Sequence, residues 1–416
     1  MIPRPQLEGL RRTGLAHRNY RPLMWGQSIS LFGDYIAFVT LPLFVVRLTG
    51  SELDLGLTTA FETLPMLLFG LAAGVWLDRA SLRRALVFAD FARGAAFALL
   101  ALAVAFDVAN VVTVFAVAFV VGSMTSIFDS GLQAYLPVAL TEDMLITANS
   151  RLQLARTLAW TTGAATGGLL MEIAGPATAF LLNAATFVVS AALLLAMRDA
   201  NPRKTEVSEP PTKALRAGIA HLWGDKRLRY ATLGAAFANF MVIPFEATLA
   251  LFGQEDLGLS EAGVGWLYAT QGLIGAAGAL VADRVAKRLK LGRTFIIGLA
   301  LMGVGLVATS ISTSFIAALP VGLVLIGVSW VNVALATLRQ RLTPPELLGR
   351  VAAASRTIAW AGMPVSGVVG GLLGERIGLG PLYTAAGVVV GVVVAWLATS
   401  PLWRQPVSVV SAKSPR

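Results

Sequence analysis

Four carboxylates interrupt stretches of the chain that are otherwise almost wholly apolar: Asp34, Glu62, Asp129 and Glu246. An ionisable group at the middle of a hydrocarbon layer costs roughly 2.5–3.5 kcal/mol on insertion scales. Each therefore needs a partner, a wet cavity or a task. An acid on the wall of a wet cavity can exchange a proton or hold a cation, and the two ligands then compete for it. Asp34 lies about twelve residues into the first apolar stretch, near its middle, and Glu62 about nine residues into the second. Glu246 follows Pro244-Phe245 in the outer part of the seventh, and Asp129 stands towards the inner end of the fourth. Asp34 is the first choice for substrate or proton coupling, with Glu62, Glu246 and Asp129 behind it. The plainer reading of each is a carboxylate paired to an arginine, with a packing role only. Arg156 could hold Asp129 in that way. Tyr35, Phe38, Trp330, Asn332 and Met363, with Trp160, Trp266 and Trp360, could line an adaptable apolar pocket. Aromatic residues in such stretches also serve as interface anchors or as packing.

The elements that must carry these residues follow from composition. Of 416 residues, 56% are hydrophobic and 13% charged, and mean hydropathy is +0.72. An ordinary soluble protein carries about 25% charged residues. Disorder is excluded by the same numbers, and a disulfide scaffold by the absence of cysteine. Uncharged runs such as 108–128, 173–197 and 377–403 are long enough to cross a bilayer as helices, which takes about 20 residues. They do not alternate, so they are not barrel strands. The fold class expected is an all-α membrane protein of twelve transmembrane helices. The spans are placed at 22–47, 53–77, 84–106, 109–132, 149–171, 175–197, 230–252, 261–282, 292–311, 314–338, 349–373 and 379–400. This gives a cytoplasmic arm (1–21), an N-terminal six-helix bundle (22–197), a solvated linker (198–229), a second six-helix bundle (230–400) and a cytoplasmic tail (401–416). No signal peptide is expected, because the basic residues 1–21 lack a following short apolar core and cleavage site.

Orientation follows from lysine and arginine. With the N-terminus inside, the inner links hold Arg79, Arg83, Arg84, Arg284, Lys287, Arg288, Lys290 and Arg293, besides the basic linker and arm. The outer links hold only Arg47 and Arg376, among acids such as Glu52, Glu172, Glu255, Asp256 and Glu261. This positive-inside pattern accounts for the net charge of +10 without nucleic acid. Both termini are placed in the cytoplasm of a bacterial cytoplasmic membrane. No Walker, zinc or serine-elbow motif stands in a suitable context, so neither an enzyme nor a cofactor is expected. His17 and His221 are read as surface residues.

The chain also echoes itself. Asp78-Arg79 returns as Asp283-Arg284, and Arg156-Thr157-Leu158-Ala159-Trp160 as Arg356-Thr357-Ile358-Ala359-Trp360. Gly167-Gly168-Leu169-Leu170 returns as Gly370-Gly371-Leu372-Leu373, and Gly175-Pro176 as Gly380-Pro381. Four echoes in order point to duplication, and two parallel six-helix repeats suit a carrier with one central path. The repeated Asp-Arg pairs suggest an inner latch, in which an acid just past a helix end meets a facing helix N-terminus and a cluster of basic residues. Its members are Gly74, Asp78, Arg79, Arg83, Arg84, Asp283 and Arg284, with Arg156 and Arg356 at matching places near the inner ends of the fifth and eleventh spans.

Gly74-Val75-Trp76-Leu77-Asp78-Arg79, followed by Arg83 and Arg84, resembles the loop between the second and third helices of the major facilitator superfamily. The resemblance covers essentially the whole chain. Ala80-Ser81-Leu82 stand where the family usually has glycine. That departure, the opening Gln27 to Asp34, Leu48-Thr49-Gly50-Ser51, and Leu145 to Arg151 are similar to the drug-exporter subgroup that contains macrolide efflux proteins, which is related to siderophore exporters. The resemblance implies a central cavity lined by spans one, two, four and seven, with the third peripheral. It also implies a monomeric secondary exporter of amphipathic drugs, hydrophobic or cationic, working by alternating access and proton antiport. Its partners would be the lipid bilayer, the small-molecule substrate and protons. The other reading is an exporter or flippase of a specific compound, such as a siderophore or lysophospholipid.

Overall fold

A computed structural model describes residues 4–77, 81–197, 211–316 and 318–404. Every regular element in them is helical: α1 (Arg4–Thr49), α2 (Glu52–Leu77), α3 (Leu82–Ala105), α4 (Val111–Ala139), α5 (Glu142–Leu195), α6 (Pro211–Gly224), α7 (Lys226–Glu255), α8 (Glu261–Leu289), α9 (Leu291–Ser310), α10 (Val321–Leu342), α11 (Pro345–Trp360), α12 (Met363–Ile377), α13 (Leu379–Ala398) and α14 (Pro401–Arg404). Ten segments among the described residues are long and apolar enough to cross a membrane. An apolar solvent leaves no alternative partner for backbone N–H and C=O groups, which is why the chain closes them within helices. The same solvent lets large apolar side chains such as Phe91, Leu99 and Leu280 point outward.

Glycine and proline set the breaks. Within α5, Gly175 adopts φ 77° and ψ 170°, and Pro176 follows, so two helices meet there at a sharp kink. Gly378 adopts the nearly identical φ 82° and ψ 161° between α12 and α13. These left-handed values suit a residue without Cβ. Gly378 stands two residues before the Gly380-Pro381 of the sequence echo, in a turn like that at Gly175. The expected eleventh span is interrupted between Trp360 and Met363, where Pro364 withholds the N–H that would continue the ladder. The expected tenth span starts at Val321 rather than 314, after Pro320 and a run of turns.

The chain divides into two compact units. The first comprises Met1–Gly50, Phe61–Ser208 and Leu259–Ala269; the second comprises Ser51–Ala60, Glu209–Gly258 and Thr270–Arg416. In the first, Leu23 of α1, Leu86 of α3, Phe128 and Tyr135 of α4, and Leu152 and Leu194 of α5 share one buried core. In the second, α9 packs along α10 and α13, and α6 packs on α11. The helix α6 corrects the expectation of a wholly solvated linker. Leu222 is fully buried, and His221 is half-buried with Nε2 at 3.2 Å from the Leu342 carbonyl, not a free surface residue. Asp225 then caps α7 by accepting from the backbone N–H of Arg227 at 2.8 Å. Burial works against the Asp225 carboxylate, but the Arg227 side chain and backbone outweigh it and hold its pKa below the usual value.

Gly33 is where α1 meets the second limb of α5 most tightly: a Cβ there would collide with Thr186 and Asn183. Overpacking of this kind typically costs about 1–3 kcal/mol. Gly33→Leu is expected to lower the melting temperature of the detergent-solubilised protein by several degrees. An unchanged melting curve would contradict the close approach.

Candidate functional site

The charge enclosed by the helices of the first unit is Arg93, on the span that the family resemblance makes peripheral. Its side chain is 3% exposed. On α3 it stands three residues after Asp90, a spacing that puts both on one helix face, and the two form a fully buried ion pair. The guanidinium lies between two rings, 4.5 Å from the centroid of Phe128 on α4 and 4.4 Å from that of Phe187 on α5. Cation–π attraction strengthens when the cation is dry. Arg93 also reaches Asp34 Oδ2 at 3.8 Å. Asp34 differs from Asp90 in being 35% exposed, so the midspan acid of α1 has one side against a buried cation and the other open.

Asp129 of α4 and Arg156 of α5 are half-buried and lie within electrostatic reach of Asp34. No ion pair joins them to each other among the described residues, so Arg156 is not the static partner of Asp129. Five charged groups are thus gathered from four helices: three acids against two arginines. When all are ionised the set carries one surplus negative charge. A proton or a cationic ligand would balance it.

Beyond Asp34, Tyr35 and Phe38 of α1 meet Trp160 of α5, with ring centroids 5.0 and 5.2 Å away. Phe38 also meets Tyr268 edge-on at 5.5 Å, and the Trp160 indole donates to the Tyr268 carbonyl at 3.0 Å. An aromatic wall therefore adjoins the charged set within the same unit.

The other acids stand apart from this group. Glu62 of α2 is exposed and makes no hydrogen bond or ion pair among the described residues. Glu246 belongs to the second unit, where it accepts from Gln271 Nε2 at 2.7 Å. That unit holds a cavity of about 220 Å³, and Asn332 and Arg356 are on its wall. Trp330 and Met363 are not; the Trp330 indole donates instead to the Gly278 carbonyl at 3.0 Å. Sequence reasoning missed Arg339, which also lines this cavity, and Asp90, whose spacing from Arg93 inside an apolar span was the available signal.

Of the expected latch, Asp78 and Arg79 lie outside the described residues, as does the side chain of Asp283; Gly74 lies in α2. Arg83 donates to the Met197 carbonyl at 2.8 Å, while Arg84 and Arg284 are exposed. A contact that was not expected lies at the other end of the first unit. Arg47 forms a two-pronged ion pair with Glu261 and donates to the Met171 carbonyl at 3.0 Å. The signal was an arginine on the acid-rich side of the positive-inside pattern.

A family model described as "transmembrane secretion effector" matches residues 13–413. The chain belongs to that family, a branch of the major facilitator superfamily. Among curated relatives, the multidrug efflux pump Tap of Mycolicibacterium fortuitum is 28% identical over 374 residues, 85% of this chain and 88% of that protein. Macrolide efflux protein A of Streptococcus pyogenes is 22% identical over 376 residues, 88% of this chain and 91% of that one. Among solved structures, a bacterial homologue of the iron transporter ferroportin aligns with a TM-score of 0.73 at 18% identity, covering 92% of this chain and 99% of that one. A nucleoside transporter aligns with a TM-score of 0.75 at 11% identity, covering 94% and 99%. The structures show the fold. The chain is a multi-pass bacterial membrane protein of a secondary-transporter family, not of an enzyme family.

Arg93→Leu leaves Asp90 buried without its cation, and breaking a buried pair from one side costs about 3–5 kcal/mol. The double variant Asp90→Leu, Arg93→Leu is expected to recover most of that loss in thermal unfolding. A double variant no more stable than the single one would contradict the pairing.

Proposed function

We propose that the protein is an exporter of amphipathic, drug-like small molecules that exchanges protons for substrate by alternating access. The observation that carries this reading is the surplus negative charge around Asp34, half open and beside an aromatic wall. A proton arriving from outside neutralises the set and favours one state. A cationic or hydrophobic substrate from inside occupies the same place and favours the other. Differential binding of the two ligands to the two states is what drives exchange. Kinship with multidrug and macrolide efflux proteins supports export as the direction.

In this reading the chain has twelve spans in two six-helix repeats. The kink at Gly175 divides one long segment into two spans, α2 adds another of 26 residues, and the matching turns at Gly175 and Gly378 mark equivalent places. The two bundles then run over 22–197 and 230–400, with both termini and the linker on the cytoplasmic side. Gly74, Asp78, Arg79, Arg83, Arg84, Asp283 and Arg284 act as the inner latch, and the bond from Arg83 to Met197 supports that placement. The Arg47–Glu261 pair fits an outer counterpart, since such a pair closes one face only while its partners are together.

The test is uptake of ethidium and of erythromycin into everted membrane vesicles with an imposed proton gradient, acidic inside. Collapsing the gradient, or substituting Asp34→Asn, is expected to reduce gradient-driven transport at least about tenfold, a barrier change of about 1.4 kcal/mol. Asp34→Glu is expected to retain part of it. Equal transport with and without the gradient would remove the antiport claim.

A further inference from the structure

The cavity of the second unit differs in chemistry from the charged set of the first. Its wall carries Arg339 from the last turn of α10 and Arg356 from α11. No carboxylate pairs with either guanidinium among the described residues. Arg339 is partly removed from water, and among the described residues it feels the like charge of Arg356. Asn239 and Asn332 supply amides, Trp360 an indole edge and Met302 an apolar side. The Asn239 amide N–H is already given to the Ala359 carbonyl at 3.0 Å. The indole N–H of Trp360 and the Asn332 amide have no hydrogen bond to other described residues, so they remain as donors beside the two arginines.

The repeat makes the asymmetry sharper. Arg356 is the counterpart of Arg156, 200 positions on. On α10, Asn332 stands 203 positions after Asp129 of α4, the same interval that separates the turns at Gly175 and Gly378. The arginine is kept in both units, but the neighbouring acid of the first becomes a neutral amide in the second. Two like charges facing one cavity without a counter-ion repel, and a guanidinium is shaped to take a carboxylate or phosphate through paired N–H donors.

We propose that this cavity binds the anionic head of an amphiphile, a carboxylate or a phosphate, with the attached apolar part against Met302 and Trp360. The volume of about 220 Å³ admits such a head and an adjoining ring but not a whole drug-sized molecule, whose pockets run from about 300 Å³ upward. The proposal rests on the transporter reading only for what the occupant then does. It extends the range of substrates from cations to anionic or zwitterionic amphiphiles.

The experiment is binding of decyl phosphate to the full-length protein in an uncharged maltoside detergent, with decyltrimethylammonium as the control of opposite charge. Arg339→Gln and Arg356→Gln are each expected to weaken decyl phosphate at least about tenfold, the size of one lost charge-assisted pair, and to leave decyltrimethylammonium unchanged. Arg→Lys at either place is expected to recover part of the loss. Thermal unfolding of the variants checks that they fold, and neither arginine has an acid partner among the described residues whose loss would destabilise them. Equal affinity for both probes, or decyl phosphate binding that survives both glutamine substitutions, would overturn the proposal. Repeating the measurement in phosphatidylcholine nanodiscs with and without phosphatidylglycerol separates the two sources of the anion. Competition by phosphatidylglycerol assigns the site to a lipid headgroup, its absence to a transported solute, and both results uphold an anion site. Because binding is read without a proton gradient, a failure of antiport leaves this result standing, and the reverse.

Discussion

A cation without water must be surrounded by its own counter-charges, and in this protein that cation is Arg93. Taking a guanidinium out of water costs several kcal/mol even after relaxation. Asp90, three residues back on the same helix, offsets part of it, and the faces of Phe128 and Phe187 offset more. Those partners come from α3, α4 and α5, and Asp34 adds α1. The four helices that build the core of the first unit are therefore the four that meet at one charge. Asp90 and Arg93 are sealed, which fixes them. Asp34 is sealed on one side only, which leaves it able to respond to a ligand.

The two units gather charges of opposite sign. In the first, acids outnumber arginines, and the open member of the set is a carboxylate. In the second, arginines line a cavity from which acids are absent among the described residues. Arg156 and Arg356 stand in like sequence settings in the two units, with Asp129 beside the first and Asn332 on the wall of the second cavity.

Much of the fold was legible in the residue pattern because hydrocarbon imposes a strict rule. Long uncharged runs, basic inner links and the ordered echoes at Arg156 and Arg356 needed no tertiary information. What was not legible depended on packing between distant segments. Pro364 and Pro320 shift helix ends by local sterics that a hydropathy pattern averages away. The helix α6 is too short and too charged to register as a span, yet its Leu222 is buried. At the site, the open acid Asp34 and its aromatic neighbours Tyr35 and Phe38 were readable from position alone. The role of Arg93 was not, since nothing in the linear order brings Phe128 and Phe187 to its two faces. Nor does anything in the linear order bring the Trp330 indole to the Gly278 carbonyl.

The most direct test of the account is proton release on substrate binding. Ethidium is added to the purified protein in lightly buffered detergent near neutral pH, with a pH indicator present. The surplus charge around Asp34 predicts release of about one proton per ethidium bound, by linkage between the two ligands at one site, and none from Asp34→Asn. Saturable ethidium binding by the unaltered protein with no proton released anywhere between about pH 6 and 8, the range in which a working acid exchanges its proton, would contradict it.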